Sequence, residues 1–379
     1  MKPIYLDYNA TTPIDPEVAE AMRPYLFEHF GNPSSSHWYG IQTKRAVDQA
    51  RRQVAELLHC NPEEVVFTSG GSESNNYAIK GTAFAQRDKG NHIITSAVEH
   101  PAVLEVCKYL TEKGFQITYL PVDEFCLVSP RTLQKSITPQ TILITIMHAN
   151  NEVGTIQPIA EIAKIAKEHG IVFHTDAAQS VGKIPTRVDE LEVDLLTIAG
   201  HKLYAPKGIG ALYVRRNVRL EKLIHGAGHE LGLRAGTENV LQIVGLGKAC
   251  EIAKRDLEKS MGHMQEMRDL LYAGLKKQWD EIRLNGHPEK RLPNTLSVCF
   301  KSIQADTLLA EIESVAASAG AACHSDAVRL SSVLEAMHVD PEYAMGTVRF
   351  STGKMTTEEE VKQAASIFAQ TARRLLAEK

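Results

Sequence analysis

Two residues far apart in the sequence could together cleave a carbon–sulfur bond. Cys323 lies in SAGAACHSD, residues 318–326, among small residues that offer little to pack against. Lys202 lies in AGHK, residues 199–202, directly after an apolar run that predicts a buried strand. A lysine amine can form a Schiff base with an aldehyde cofactor, and a thiolate is a strong nucleophile. The pair predicts an enzyme that breaks such a bond and takes the sulfur onto Cys323.

A third residue, Asp176 in HTDAAQS, supports the choice of lysine. It follows an apolar run, and a buried carboxylate at a strand end needs a cationic partner, which the pyridinium nitrogen of pyridoxal phosphate would supply. The alternative is that Asp176 caps a helix. The separation from Lys202, 202 − 176 = 26 residues, leaves room for a helix and a strand. Given this cofactor, we prefer Lys202 to Lys183 and Lys207.

The segment TSGGSESNN, residues 68–76, is a candidate phosphate site. It follows the apolar run VVF and precedes a helical pattern, so Gly70, Gly71 and Ser72 lie where the N–H groups of a helix N-terminus point outward. Such a turn can bind a phosphate. The alternative is a Gly/Ser turn that binds nothing.

These residues require a scaffold in which strands and helices alternate. Strand patterns recur between residues 15 and 250, separated by helical patterns such as 101–113 and 158–170, the second ending at Gly170. Asp15 and Pro16 indicate a helix start. The predicted strands are 92–96, 116–122, 141–146, 171–175, 194–199 and 210–214. This order predicts an α/β fold whose mainly parallel sheet is covered by helices and binds ligands at the carboxyl ends of its strands.

The last third of the sequence predicts a smaller domain. A charged helical pattern from about Thr237 to Lys277 would bridge to it, followed by a strand at 292–300 and a final helix from 357. We therefore expect a large cofactor-binding domain over 15–255. Residues 1–14 and 256–379 would form the small domain that carries the cysteine loop.

Composition excludes several classes of protein. The net charge of −4 over 379 residues gives no basic field for direct nucleic-acid binding. No apolar run approaches the roughly 20 residues of a membrane span, and the N-terminus lacks the pattern of a secretion signal. We expect a cytoplasmic protein that binds no membrane.

The six cysteines lie far apart in the sequence. They form no CxxC pair and have no zinc-ligand spacing, so we expect no metal site and no disulfide scaffold. Five of them, Cys60, Cys107, Cys126, Cys250 and Cys299, are interpreted as small packed hydrophobes. Cys323 is the exception.

Nine segments, in order and at compatible spacing, make the chain similar to the cysteine desulfurases, which are class V aminotransferase-like members of the fold-type I pyridoxal phosphate enzymes. The segments are YLDYNATTP (5–13), TSGGSESNN, VEHPAV (98–103), NNEVG (150–154), HTDAAQ, GHKLYAPKGIGALY, GHELGLRAGTENV (228–240), SAGAACHSD and VRFSTG (348–353). The resemblance implies a mainly parallel seven-stranded sheet, a smaller α+β C-terminal domain and a homodimer.

The resemblance also implies a role for each candidate residue. Lys202 would hold the cofactor and move the Cα proton, and His100 would stack on the ring and help to shuttle protons. Asp176 would pair with the ring nitrogen and Gln179 would donate to the phenolic oxygen. The phosphate would bind Gly71, Ser72 and His201, with Thr237 reaching it across a dimer interface, while Asn151 and Arg349 would hold the substrate carboxylate.

The implied reaction converts L-cysteine to L-alanine and leaves a persulfide on Cys323, with His324 or His100 assisting its ionisation. The spacing from Cys323 to VLEAM is typical of the long-loop group, which passes sulfur to acceptor proteins in iron–sulfur assembly, tRNA thiolation or another sulfur-modification pathway. The alternatives are a selenocysteine lyase, a related aminotransferase and a non-catalytic sulfur-carrier scaffold. Departures from the family pattern occur at Ala199, Ala205, Ala227, Ala235, Lys354 and after Cys323.

Overall fold

The computed structural model describes residues 3–279, 281–324 and 327–378. Strands are numbered in chain order: β1 Ile4–Tyr5, β2 Val65–Thr68, β3 His92–Ser96, β4 Gln116–Leu120, β5 Thr141–Thr145, β6 Val172–Asp176, β7 Leu195–Ala199, β8 Gly210–Val214, β9 Arg283–Leu284, β10 Thr295–Cys299, β11 Val315–Ala316, β12 Ser318–Ala319, β13 Ala321–His324, β14 Ala327–Leu330 and β15 Thr347–Ser351. The α-helices are α1 Pro16–Met22, α2 Pro24–Phe27, α3 Trp38–Leu58, α4 Gly71–Ala85, α5 Pro101–Glu112, α6 Pro130–Ser136, α7 Ile159–Glu168, α8 Val188–Leu191, α9 Val240–Gln278, α10 Ala305–Ala310, α11 Ser332–Ala336, α12 Pro341–Ala344 and α13 Glu358–Ala377.

The main sheet has seven strands in the order β2-β8-β7-β6-β5-β3-β4. All neighbours are parallel except β8, which is antiparallel to both β2 and β7. Strands β2, β3, β5, β7 and β8 are buried along their whole length, as expected for continuous apolar runs covered on both faces. The predicted mainly parallel seven-stranded sheet is confirmed. The predicted strands agree with it to within two residues at each end.

A second sheet follows in the C-terminal third, with four antiparallel strands in the order β12-β15-β10-β9. Its apolar face packs with α13 into a separate core that includes Val298, Phe350 and Phe368. Two smaller pairs accompany it: β1 with β11, parallel, and β13 with β14, antiparallel. The predicted α+β character of this part of the chain is confirmed.

Helix α9 connects the two cores. Ile243 and Leu246 near its start pack into the core beneath the main sheet, whereas Leu271 and Leu275 near its end pack into the second core. The predicted bridging helix is therefore confirmed. Its 39 residues begin and end within three residues of the predicted bounds, Thr237 and Lys277. The division into domains at residue 255 stays a prediction.

Local signals at helix ends act as the sequence indicated. The Asp15 side chain accepts a hydrogen bond from the Glu17 N–H at 2.7 Å and caps α1, with Pro16 at its first position. Gly170 has φ +65°, the left-handed conformation that commonly follows a helix C-terminus. Across the described ranges, no helix combines the length and the apolar character that crossing a bilayer requires.

Candidate active site

A cavity of about 290 Å³ opens at the carboxyl ends of the central strands, the edge where such sheets bind ligands. Most of its wall comes from residues that directly follow strands of the main sheet, so the topology brings together side chains that are distant in the sequence. Nine predicted site residues line it: Gly71, Ser72, His100, Asn151, Asp176, Gln179, His201, Lys202 and Arg349.

Asp176 ends β6 and is buried at this cavity. Its carboxylate accepts hydrogen bonds from Asn75 Nδ2 at 2.7 Å and from the Ala178 N–H at 2.9 Å. The bond to Ala178 is local, as in a cap, but the residues that follow form turns rather than an α-helix. Among the described residues, Asp176 forms no ion pair within 4.0 Å. A buried carboxylate facing a cavity without a cation is suited to a cationic ligand atom.

Lys202 ends a short 3₁₀ turn, Gly200–Lys202, directly after β7. Burial lowers the pKa of its amine, and the nearby Asp176 carboxylate opposes part of that shift. A lowered pKa increases the fraction of free amine, which is the form that attacks a carbonyl carbon. Of the two other lysines that the sequence left open, Lys207 is exposed and lies outside the cavity wall, and Lys183 is buried behind it.

Lys183 fixes the orientation of Gln179. Its amine donates to Gln179 Oε1 at 2.9 Å and to Asn9 Oδ1 at 3.1 Å. Because Oε1 already accepts from Lys183, the Nε2 group of Gln179 lies on the other side. It donates one N–H to the Asn9 carbonyl at 3.0 Å, which leaves its second N–H for another acceptor. Burial lowers the pKa of Lys183 well below its usual range. Sequence analysis missed this supporting role.

His100 is the N-cap of α5 and is also held in one orientation. Its Nδ1 accepts a hydrogen bond from the Ala102 N–H at 3.1 Å, so in the neutral ring the proton is on Nε2. Burial lowers the pKa of His100, with the Asp176 carboxylate opposing the shift. A neutral imidazole with a defined tautomer can stack on a ring and transfer a proton.

At the other end of the cavity, Gly71 and Ser72 are the first residues of α4. The first N–H groups of a helix have no partner inside it, and its dipole favours an anion there. His201 lies nearby, with Nδ1 3.2 Å from Thr11 Oγ1, and burial together with Lys202 lowers its pKa to about 4. The side chain is therefore neutral at pH 7. Ala199 also lines the cavity and brings a methyl group to this end, where a serine would bring a hydroxyl.

Arg349, in β15, closes the side of the cavity that faces the second sheet. Its Nη1 donates to the Asn151 carbonyl at 3.1 Å, and its Nη2 donates to Asp7 Oδ1 at 2.8 Å and Ser318 Oγ at 2.9 Å. The Nε group is buried and has no partner among the described residues. An arginine held at the cavity wall with an unpaired N–H is suited to bind a carboxylate.

Of the other two predicted site residues, Thr237 does not line the cavity. Thr237 is exposed on a loop that is attached to the start of α4 through the Arg234–Glu73 ion pair at 2.9 Å. The Cys323 backbone lies in β13, opposite Val328 of β14. Its side chain lies outside the described part of the chain, as do the residues at 325–326.

The structure also places Glu99, which the sequence analysis did not identify, near the site. Its Oε1 accepts from Ser96 Oγ at 2.6 Å and from the Met147 N–H at 2.9 Å, while Oε2 is buried without a described partner. Burial raises the pKa of Glu99 to about 8, so the side chain is protonated at neutral pH. Asn9 and Asn75, which lie inside recognised segments, also line the cavity. Only their position in YLDYNATTP and TSGGSESNN signalled them.

The five cysteines interpreted as packed hydrophobes behave as expected. Cys107, Cys126, Cys250 and Cys299 are buried, and Cys60 is partly buried. Burial raises the pKa of Cys60 and of Cys107 to about 12. These thiols are therefore poor nucleophiles at neutral pH.

Comparisons with known proteins agree with this geometry. The family model described as aminotransferase class-V matches residues 4–364. A curated cysteine desulfurase IscS of Dictyoglomus turgidum is 51% identical over 360 residues, covering 94% of this chain and 91% of the relative. A solved NifS-like protein superposes with a TM-score of 0.91 at 40% identity over the full length of both chains. The solved structure of SspA in complex with cysteine has a TM-score of 0.83 at 39% identity, covering 93% of this chain and all of the other.

Proposed function

We propose that this chain, which belongs to the aminotransferase class-V family, is a cysteine desulfurase that converts L-cysteine to L-alanine and takes the sulfur onto Cys323. One observation carries the proposal. A single cavity brings together a half-buried lysine whose pKa is lowered, a buried carboxylate without an ion pair among the described residues, and an arginine that donates to Ser318, three residues before the strand that carries Cys323. The desulfurase relative that shares 51% of its residues supports the same activity.

The residues of the cavity fit pyridoxal 5'-phosphate. Lys202 would hold its aldehyde carbon, Asp176 its ring nitrogen and Gln179 its phenolic oxygen, while Ser72 and the start of α4 would hold its phosphate. The unpaired Asp176 carboxylate is the observation that favours this fit, because a protonated ring nitrogen would supply the missing cation. When bound, the cofactor supplies an electron sink for the pair left at Cα.

The chain's own residues would position the substrate and move its protons. Arg349 would bind the carboxylate of L-cysteine, with Asn151 beside it. The amine of Lys202 would take the proton from Cα, and the lowering of its pKa by burial favours the free amine that this step needs. His100, with its proton on Nε2, would return a proton to the carbon skeleton later in the reaction.

The sulfur-transfer step balances without an external oxidant. The Cys323 thiolate attacks the substrate sulfur, a sulfur–sulfur bond forms and the Cβ–sulfur bond breaks. The electron pair stays with the carbon skeleton, which takes up protons and leaves as alanine. The net reaction is L-cysteine plus the Cys323 thiol giving L-alanine plus the Cys323 persulfide. His324 and His100 are both candidates to assist thiol ionisation.

The proposal extends to partners. We propose a homodimer in which Thr237 reaches the phosphate of the partner subunit's cofactor, since Thr237 is exposed and outside its own cavity. Sulfur-acceptor proteins would collect the persulfide, in iron–sulfur assembly, tRNA thiolation or another sulfur pathway. The cytoplasmic location stays a prediction.

The test measures alanine release from L-cysteine with the full chain loaded with pyridoxal phosphate, and compares Cys323→Ser with Cys60→Ser. We expect the first change to abolish turnover and the second to leave it near the original rate, because Cys60 is packed away from the cavity. Selenocysteine is the second substrate, since a selenocysteine lyase tolerates loss of the thiol. Full activity of Cys323→Ser on L-cysteine would overturn the proposal, and a colourless protein that binds no cofactor would favour a sulfur-carrier scaffold.

A further inference from the structure

The two ends of the hairpin that carries Cys323 help to hold it in position. Strands β13 and β14 pair with each other at four positions, from Ala321↔Leu330 to His324↔Ala327, and over the described residues they join no larger sheet. An isolated two-stranded hairpin is at best marginally stable in water. The residues on either side of it are therefore expected to contribute to its placement relative to the cavity.

The N-terminal root of the hairpin is fixed to β15. Ser318 lies opposite Arg349 in the β12–β15 ladder, and the Gly320 N–H donates to the Thr347 carbonyl at 2.7 Å. A Cβ atom at position 320 would lie 2.5 Å from Thr347 Cγ2, so only glycine allows this close approach. This root joins the hairpin to the strand that carries Arg349.

The C-terminal root combines packing of Leu330 against the main core with hydrogen bonds of one side chain, Ser331. Ser331 follows β14 directly and caps α11, with its Oγ accepting from the Val333 N–H at 3.1 Å. The same hydroxyl donates to Glu152 Oε2, 179 residues away in the sequence. Ser331 thus connects the end of the hairpin, the start of α11 and the NNEVG segment through a single oxygen.

Glu152 in turn is attached to the wall of the cavity. Its N–H donates to Asn150 Oδ1 at 2.9 Å, and Asn150 Nδ2 donates to the Val98 carbonyl at 3.1 Å, close to His100. The preceding residue, Asn151, accepts from Arg349 at 3.1 Å. The two roots of the hairpin therefore meet the same side of the site, the side where the substrate carboxylate would bind.

We propose that the Glu152–Ser331 hydrogen bond is an anchor that positions the Cys323 hairpin for attack on the substrate sulfur. Both are positioning residues, because they act through the hairpin and line no part of the cavity. The inference rests on the function proposed above. It predicts that loss of the anchor slows the transfer of sulfur to Cys323 without weakening the binding of cysteine.

A matched pair of variants separates the anchor from the helix cap. Ser331→Asn and Ser331→Asp both cap a helix well, but only asparagine can still donate to Glu152, whereas aspartate places a second carboxylate against it. In the loaded full-length enzyme, we expect Ser331→Asp to slow persulfide formation on Cys323 about tenfold, as for loss of a hydrogen bond that leaves a buried acceptor unpaired. The KM for cysteine stays unchanged. Ser331→Asn stays within about twofold.

Alkylation of Cys323 by iodoacetamide, followed by peptide mass spectrometry, gives a readout that needs no turnover. We expect a faster reaction in Ser331→Asp than in Ser331→Asn, because the hairpin is no longer held at its C-terminal root. Equal rates of alkylation and of persulfide formation in the two variants would overturn the anchor. If Ser331→Asp melts at a lower temperature and fails to fold, Glu152→Ala against Glu152→Gln decides in its place, since glutamine retains an acceptor oxygen.

This design separates the two proposals. A wild-type enzyme that forms no persulfide on Cys323 contradicts the proposed function, whatever the variants do. A wild-type enzyme that forms it at the same rate as Ser331→Asp contradicts the anchor and leaves the proposed function standing.

Discussion

Asp176 ends a strand and Lys202 follows one within a seven-stranded sheet, whereas Cys323 lies on a two-stranded hairpin that, over the described residues, joins neither of the larger sheets. On the sheet edge, each side chain is fixed by neighbouring strands and by hydrogen bonds such as the one from Asn75 to Asp176. On the hairpin side, the described contacts lie at its two ends, at Ser318, Gly320, Leu330 and Ser331. The chemistry explains the difference. The groups that hold a cofactor must stay still, while the thiol must meet the substrate and then deliver sulfur to an acceptor.

The largest effect should follow from replacing Lys202, at the edge of the main sheet. Lys202→Ala removes both the amine that would hold the cofactor and the group that would move the Cα proton. We expect kcat for alanine release to fall by at least about 1000-fold, the scale of general acid–base catalysis. Lys207→Ala is the matched control, since this lysine is exposed. Comparable rates for the two variants would remove Lys202 from the mechanism.

Glu99, the buried carboxyl group beside the sheet edge, should make the folding stability of the protein depend on pH. Because the folded-state pKa of Glu99 is raised to about 8, the folded protein binds the extra proton. Its stabilising contribution is complete below the unfolded pKa near 4.5 and is lost as the pH rises through 8. Glu99→Gln lacks this loss. As the pH rises from about 5 to about 7, the free energy of unfolding of the variant should therefore increase by about 3 kcal/mol relative to that of the wild type, measured by urea unfolding. A difference that is constant with pH would show that Glu99 is ionised when folded.

Arg349 joins the two regions, so its replacement tests the link between them. Arg349→Lys keeps the charge but loses the planar fork that contacts Asn151, Asp7 and Ser318 together. We expect kcat/KM for cysteine to fall about 30-fold, mainly through KM, because charged hydrogen bonds to the substrate carboxylate are lost. The exposed Arg219→Lys serves as the control. An unchanged KM would place the carboxylate elsewhere.

The smallest effect should come from the N-terminal root of the hairpin. Ser318→Ala removes one acceptor from Arg349 and one donor to Asp7, but the Gly320–Thr347 bond and the Asp7–Arg349 ion pair remain. We expect persulfide formation to slow about fivefold, as for one net hydrogen bond. Ser318→Thr should restore it. A loss as large as that of Arg349→Lys would mean that Ser318, rather than the guanidinium, governs this side of the site.

Residues that follow strands were the part of the site most accessible from sequence. Asp176, Lys202 and the start of α4 each come directly after an apolar run, and parallel strands end at one edge, so a local pattern indicated a shared location. Glu99 and Lys183 could not be assigned in this way. Their roles depend on burial and on partners such as Asn9, which no local pattern reports.

The sequence by itself determined the order of strands and helices, the helix caps at Asp15 and Gly170, and the candidate residues at the sheet edge, because these depend on periodicity and on neighbours a few positions away. Only the tertiary structure decided that Arg349 pairs with Asp7, that Lys183 orients Gln179, and that Ser331 donates to Glu152. The physical reason is range. A hydrogen bond between residues 179 positions apart exists only once the chain has folded, and the side chains that form it are common polar residues whose types alone indicate nothing.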